Sequence, residues 1–162
     1  MNRLLFLLFI VGVLLTTSCK QNELYERIEP IPGGEWKSSF QPSYTFNISD
    51  TTALYNVYVT VRHTNNYTYN NLWLESSLQL PGDSLLTQKL DIKLANPEGW
   101  VGMGMDDIFE ARVKITSQPA AFPKAGPITI KLKQIMRQDP LPGILQIGMR
   151  IEKDRPVVRN EQ

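Results

Sequence analysis

Tyr55-Asn56-Val57-Tyr58-Val59-Thr60-Val61-Arg62 sets an aromatic or valine at every second position, with Asn56, Tyr58, Thr60 and Arg62 between them. Successive side chains of an extended chain point to opposite faces, so this stretch predicts a strand with one face against a core. The same period of two recurs on both sides of it. Tyr44-Thr45-Phe46-Asn47-Ile48 alternates, as do Leu72, Leu74, Leu78 and Leu80, interrupted at Ser76. Leu86, Leu90, Ile92 and Leu94 follow, then Phe109, Ala111, Val113 and Ile115, then Ile128, Ile130 and Leu132, and finally Leu145, Ile147, Met149 and Ile151.

Turn residues separate these runs at Pro81-Gly82-Asp83, Asn96-Pro97-Glu98-Gly99, Phe122 to Pro127 and Asp139-Pro140-Leu141-Pro142-Gly143. No long period of 3.6 interrupts them, and no internal repeat points to a solenoid or propeller. Seven or eight short strands, each apolar on one face, predict an all-β fold: a two-sheet antiparallel β-sandwich, jelly-roll-like, with an immunoglobulin-like arrangement as the alternative.

The N-terminus carries a different signal. One basic residue, Arg3, precedes Leu4 to Leu15, which contain no polar side chain, and Thr16-Thr17-Ser18 then lead into Cys19, the only cysteine of the chain. The apolar run is shorter than the roughly 20 residues a membrane span needs and reads as the core of a signal peptide. A disulfide within the chain is excluded for want of a second cysteine, and a catalytic thiol needs an activating base beside it. The small residues before Cys19 instead resemble a lipobox, although Thr16 stands where leucine is usual and Leu15 lies one position further back. The expected organisation is a lipoprotein signal peptide over 1–18, a lipidated tether over 19–34 and a single sandwich over 35–162. Lys20 to Gly34 is polar and ends in Glu29-Pro30-Ile31-Pro32-Gly33-Gly34, which reads as a stiff extended spacer. Cys19 would carry an N-acyl chain and an S-diacylglycerol, and no other cofactor is expected.

The charge is nearly balanced, with 17 basic and 16 acidic residues. There is no basic stripe for nucleic acid and no polybasic segment for anionic lipid, so anchoring falls to the acyl chains. Motifs for catalysis and metal binding are absent: no His-x-His, Cys-x-x-Cys, His-Glu-x-x-His or Gly-x-Ser-x-Gly occurs. The single histidine, His63, reads as a solvated residue at a strand end. Asp106-Asp107 follow a glycine-rich segment and read as a solvated hairpin, since adjacent strand residues point apart. The glycines before them match no nucleotide-binding order and serve conformation. Catalytic and metal residues are therefore predicted as none. Tyr67, Tyr69 and Trp73 lie among Asn65, Asn66, Asn70 and Asn71, where the rings either stack on a glycan or protein partner or cap one end of the sandwich.

Arg62-His63-Thr64-Asn65-Asn66-Tyr67-Thr68-Tyr69-Asn70-Asn71-Leu72-Trp73-Leu74, Gly99-Trp100-Val101-Gly102-Met103-Gly104, Gln134-Ile135-Met136-Arg137, Leu141-Pro142-Gly143-Ile144 and Gly148 to Lys153 occur in this order. Together with the cysteine after the leader, they resemble the GldH gliding-motility lipoproteins. The resemblance implies a non-enzymatic lipoprotein of the cell envelope, held to a membrane facing the periplasm or the surface, with the outer membrane favoured. It also implies partners in the machinery of gliding and associated secretion, and transfers one position, Cys19. Asp50-Thr51-Thr52 and Asp83-Ser84-Leu85 look like O-glycosylation sites of exported proteins in some of these bacteria, making Thr51 and Ser84 candidate acceptors.

Overall fold

A computed structural model describes residues 23–154. In chain order the strands are β1 (Glu23–Pro30), β2 (Glu35–Trp36), β3 (Ser43–Ile48), β4 (Tyr55–Thr64), β5 (Asn71–Gln79), β6 (Leu86–Lys93) and β7 (Ala95–Asn96). They continue as β8 (Gly99–Trp100), β9 (Met103–Met105), β10 (Ile108–Lys114), β11 (Gly126–Gln134), β12 (Leu141–Pro142) and β13 (Ile144–Lys153). The larger sheet has the order β1-β13-β4-β10-β9 and the smaller β3-β11-β5-β6. Two-residue ladders, β2 with β12 and β7 with β8, tie down loops.

The pairing decides between the two expected topologies. First pairs with last, β1 with β13; inside that, β3 pairs with β11, β4 with β10 and β5 with β6, all antiparallel. The chain is thus one long hairpin ribbon rolled up so that alternate pairs fall into opposite sheets. That nesting is the jelly roll, and the ladders β13 with β4 and β11 with β5 close each sheet.

The alternation read from the sequence is the alternation of burial on most strands; the exceptions are Leu86, 55 % exposed on the edge strand β6, and Leu145, half-buried because a β-bulge at the start of β13 buries Ile144 instead. Tyr44, Phe46 and Ile48 of β3, Leu72 and Leu74 of β5 and Ile128, Ile130 and Leu132 of β11 face Val57, Val59 and Val61 of β4 and Ile147, Met149 and Ile151 of β13 across one continuous core. Apolar burial of this kind contributes about 25 cal/mol per Å² and dominates the stability of a sandwich. The buried Tyr44 hydroxyl donates to the Ile147 carbonyl at 2.8 Å, a polar tie between the sheets.

The tether expected over 19–34 is corrected in part. Residues 23–30 form β1, Ile31 is buried with its N–H donating to the Leu145 carbonyl at 2.8 Å, and Pro32–Gly34 form a short 3-10 turn. The segment was misread because β1 is an edge strand with charges on both faces. Its inward side presents Tyr25, Arg27 and Glu29, and its outward side Glu26 and Ile28. The charges are partnered: Glu26 accepts from Arg150 at 2.7 Å and from Arg112 at 3.0 Å, and Arg27 pairs with Glu29 at 2.5 Å. Arg112 belongs to β10, so its bridge to Glu26 passes over β4 and β13. It can do so because the residues beneath, Thr60 and Gly148, are small.

Gly148 is fixed by close approach. A Cβ there would lie 2.8 Å from the Ile28 side chain and 3.0 Å from the Arg27 carbonyl. Gly148→Ala is therefore expected to lower stability by about 1–3 kcal/mol in urea denaturation. Ile28→Ala in the same chain should recover part of that loss, leaving the double variant less destabilised than the sum of the singles.

Candidate functional site

The sandwich has two dissimilar ends. At one end lie the beginnings of β1 and β4, the end of β13 and the loops 49–54, 80–85 and 115–125; at the other lie the loops 65–70, 94–102 and 135–143. The aromatic segment singled out in the sequence belongs to the second end, and its members separate there.

Tyr67 is buried. Its hydroxyl donates to the Asn71 carbonyl at 2.9 Å, its ring lies 5.7 Å from those of His63 and Tyr69, and burial pushes its hydroxyl pKa above the usual tyrosine range. It caps the sandwich. Trp73 points the other way because its neighbours Leu72 and Leu74 occupy the core face of β5, and it is 40 % exposed. Tyr69, half-buried, bounds the same shallow concavity with Ile135, Met136 and Arg137, and its hydroxyl donates to Gln138 Oε1 at 3.1 Å. The Ile135 N–H donates to the Trp73 carbonyl at 3.0 Å, which lays the 135–138 loop against the ring's strand. Asp91, opposite Trp73 in the ladder, accepts from Asn71 Nδ2 at 2.6 Å. The arrangement is an indole face ringed by a guanidinium, a carboxylate and amides, suited to stacking and hydrogen bonding.

His63 corrects the expectation of a solvated residue. It is fully buried, on the core face at the end of β4, with ring centroids of Trp100, Tyr67 and Phe109 at 4.6, 5.7 and 5.8 Å. The Thr64 carbonyl can only accept, so the 3.0 Å contact places the proton on Nδ1 and leaves Nε2 buried without a partner. Burial holds its pKa below the ordinary histidine value. Trp100 Nε1 donates to Asn65 Oδ1 at 2.8 Å, pinning the cage from outside. The period of two through Tyr55, Val57, Val59 and Val61 already sets residue 63 on the core face; the rings of Trp100 and Phe109 that complete its cage arrive on later strands.

Asp106 and Asp107 occupy the two-residue hairpin between β9 and β10, exposed, with Asp106 at φ 55°. Among the described residues no group of three or more His, Cys, Asp or Glu converges on a metal-sized site. The hairpin carries a feature the sequence reading passed over. Met103 and Met105 are 78 % and 79 % exposed, in register with Glu110 and Ile108. Gly104 permits this, for a Cβ there would meet the Phe109 ring at 2.6 Å. The signal was the alternation Gly102-Met103-Gly104-Met105, read earlier only as conformational freedom.

Thr51 and Ser84 are exposed in the loops 49–54 and 80–85 at the first end of the sandwich. The Asp50 carboxylate beside Thr51 accepts from Lys153 Nζ at 2.7 Å, the Thr52 hydroxyl at 2.7 Å and the Thr52 N–H at 3.0 Å, which holds its pKa well below the carboxylate range. Asp83 beside Ser84 pairs with Lys124 at 2.5 Å. Cys19 lies outside the described residues.

A sequence model of the GldH lipoprotein family matches residues 23–151, from the first strand to the last. The chain belongs to the GldH lipoprotein family. It is 27 % identical over 154 residues to the "Gliding motility lipoprotein GldH homolog" of Christiangramia forsetii, covering 90 % of this chain and 93 % of the relative. The "Gliding motility lipoprotein GldH" of Flavobacterium johnsoniae is likewise 27 % identical over 154 residues, covering 90 % and 94 %. Among solved structures, the VP2 subviral particle of infectious bursal disease virus matches at a TM-score of 0.22 and 11 % identity, over 82 % of this chain and 39 % of that one. The family model begins at Glu23, where β1 begins, so the strand misread as tether lies within the part the family shares.

His63 makes stability depend on pH. The unfolded chain binds a proton at His63 near pH 6.5, whereas the folded cage resists it, so the unfolded state holds more protons as pH falls through that value. The melting temperature is expected to drop between pH 7 and pH 5. His63→Phe, which retains the ring packing, should flatten that part of the profile, and equal slopes in the two proteins would contradict the assignment.

Proposed function

We propose that the protein is a lipid-anchored, non-enzymatic component of the cell envelope that supports gliding motility and the associated secretion machinery through contacts made by its sandwich. The observation that carries this reading is the nearness of β1 to Cys19. Glu23 is four positions beyond the cysteine, and an extended chain gains at most about 3.6 Å per residue, so the sandwich would sit within about 14 Å of the acylated residue. Such a domain works beside the bilayer surface. A single acyl chain binds marginally, whereas the N-acyl chain and diacylglycerol proposed on Cys19 would hold it stably. The outer membrane is the favoured location.

Membership of the family and the names of its relatives support the assignment to gliding. Replacing Cys19 by Ala is expected to move the protein from the membrane to the soluble fraction, to remove the lipid mass and to impair gliding or the level of partner proteins. A variant that stays membrane-bound and fully functional would reject the anchor.

A second reading rests on Trp73. Its exposed ring beside Tyr69, Arg137 and Asp91 fits a glycan face, a function for which Tyr67 is unsuited because it is buried. Calorimetric titration should then show saccharide binding that weakens about tenfold or more in Trp73→Ala, equivalent to about 1.4 kcal/mol. A glycan array without a single positive would remove this reading. Thr51 and Ser84 are proposed as O-glycosylation acceptors on their exposure in loops, and the intact mass of the exported protein against the Thr51→Ala and Ser84→Ala variants decides it.

A further inference from the structure

The core alternation fails at one level of the smaller sheet, and it fails on two strands at once. On the core face of β5, Leu72, Leu74 and Leu78 are interrupted by Ser76; on that of β6, Leu86, Leu90 and Ile92 are interrupted by Gln88. Ser76 and Gln88 are directly opposite each other in the ladder. Where two leucine-sized side chains would complete the core, a small hydroxyl and an outward-reaching amide stand instead. The sheets consequently enclose a cleft of about 300 Å³ between them, walled by Val57, Leu78, Leu80, Ile115, Phe122 and Ile130, with Ser76 and Gln88 at the gap.

The wall contains no charged residue. Its size falls at the lower end of the range of small-molecule sites, and its apolar lining suits a slender aliphatic chain whose polar head stays outside.

The position of the cleft names the source of that chain. Tyr55, at the cleft, pairs with Lys153; beside it Asn56 pairs with Glu152, and Glu152 with Glu23. Two strand spacings, about 10 Å, thus separate the start of β1 from the strand that walls the cleft. Leu54 and Leu85, 46 % and 54 % exposed, lie in the loops of the same end, and Leu86 at the cleft is 55 % exposed. These exposed leucines stand among the Asp50–Lys153 and Asp83–Lys124 ion pairs at the end from which the chain leads to Cys19, an apolar and charged mixture suited to the headgroup boundary of a bilayer, a contact that a glycan on Thr51 or Ser84 would exclude.

We propose that this cleft takes up one acyl chain of a lipid from the bilayer beside which the sandwich is anchored. The source of the chain rests on the anchored reading given above; the cleft's preference for an aliphatic chain does not.

The test uses the full mature chain with Cys19→Ala, titrated calorimetrically with octanoate, decanoate and laurate below their micellar concentrations. Saturable binding of one molecule is expected, tightening up to about fourfold per added methylene where the chain is fully buried. Ser76→Phe, which fills the cleft, and Gln88→Trp, whose ring at this exposed position covers the mouth, should each weaken laurate at least tenfold while melting cooperatively. The proposal is overturned by absence of saturation with laurate in the Cys19→Ala chain, or by laurate binding indifferent to both Ser76→Phe and Gln88→Trp. A dimer in sedimentation that Gln88→Trp dissociates would also overturn it, since the cleft would then be a subunit interface. The two readings fail separately. A lipidated Cys19 without laurate binding rejects the cleft and keeps the anchor, whereas laurate binding in a protein whose Cys19 carries no lipid in cells keeps the cleft's chemistry and rejects the bilayer as its source.

Discussion

The ladder between β4 and β13 holds the rest of the structure in place. Residues 55–64 and 144–153 meet across most of the chain, and their antiparallel register seats Val57, Val59 and Val61 beside Ile147, Met149 and Ile151 at the centre of the larger sheet. Once it forms, β1 has an edge on one side and β10 on the other, and the segment between must fold back as the remaining nested pairs. Pairings of such sequence separation carry a loop-closure cost before they contribute stability, which makes a fold of this kind slow to form compared with helical domains of equal size.

Much of the fold was legible because burial in a sandwich imposes a period of two. The runs around Tyr55, Ile128 and Ile147 carry that period without interruption, and the turn residues between them mark the strand ends. β1 was illegible for a physical reason: an edge strand with charges on both faces is held by its ladder to β13 and by ion pairs with β10 and β13, and such partners leave no local trace. His63 and Tyr67 were hidden in another way. The period of two through Val61 points residue 63 at the core, but the rings that close over it come from Trp100 and Phe109 on later strands, which the neighbourhood of position 63 does not show. The interruption at Ser76 was visible, but its meaning appeared only when the ladder set Gln88 opposite it.

The two ends of the sandwich are filled differently. The far end is sealed by rings and by Gln134, whose amide donates to the Trp36 and Gln138 carbonyls at 3.3 Å and accepts from the Met136 N–H at 2.8 Å. It presents a shaped outer surface at Tyr69 and Trp73. The near end is less completely filled, with leucines outside and a cleft within. Sealing one end and loosening the other lets a single core supply both rigidity and a place for a guest.

The location of β1 has a mechanical meaning. If a membrane pulls on Glu23 while a partner holds the opposite end, the force runs along the strand. The contacts between β1 and β13 from Tyr25–Ile151 to Pro30–Gln146 are then loaded together in shear, where a pull across the sheet would break them one at a time. The ionic bridge from Glu26 to Arg112 adds a cross-brace over the intervening strands. A domain anchored through this strand would pass tension into the β1–β13 ladder over its whole length.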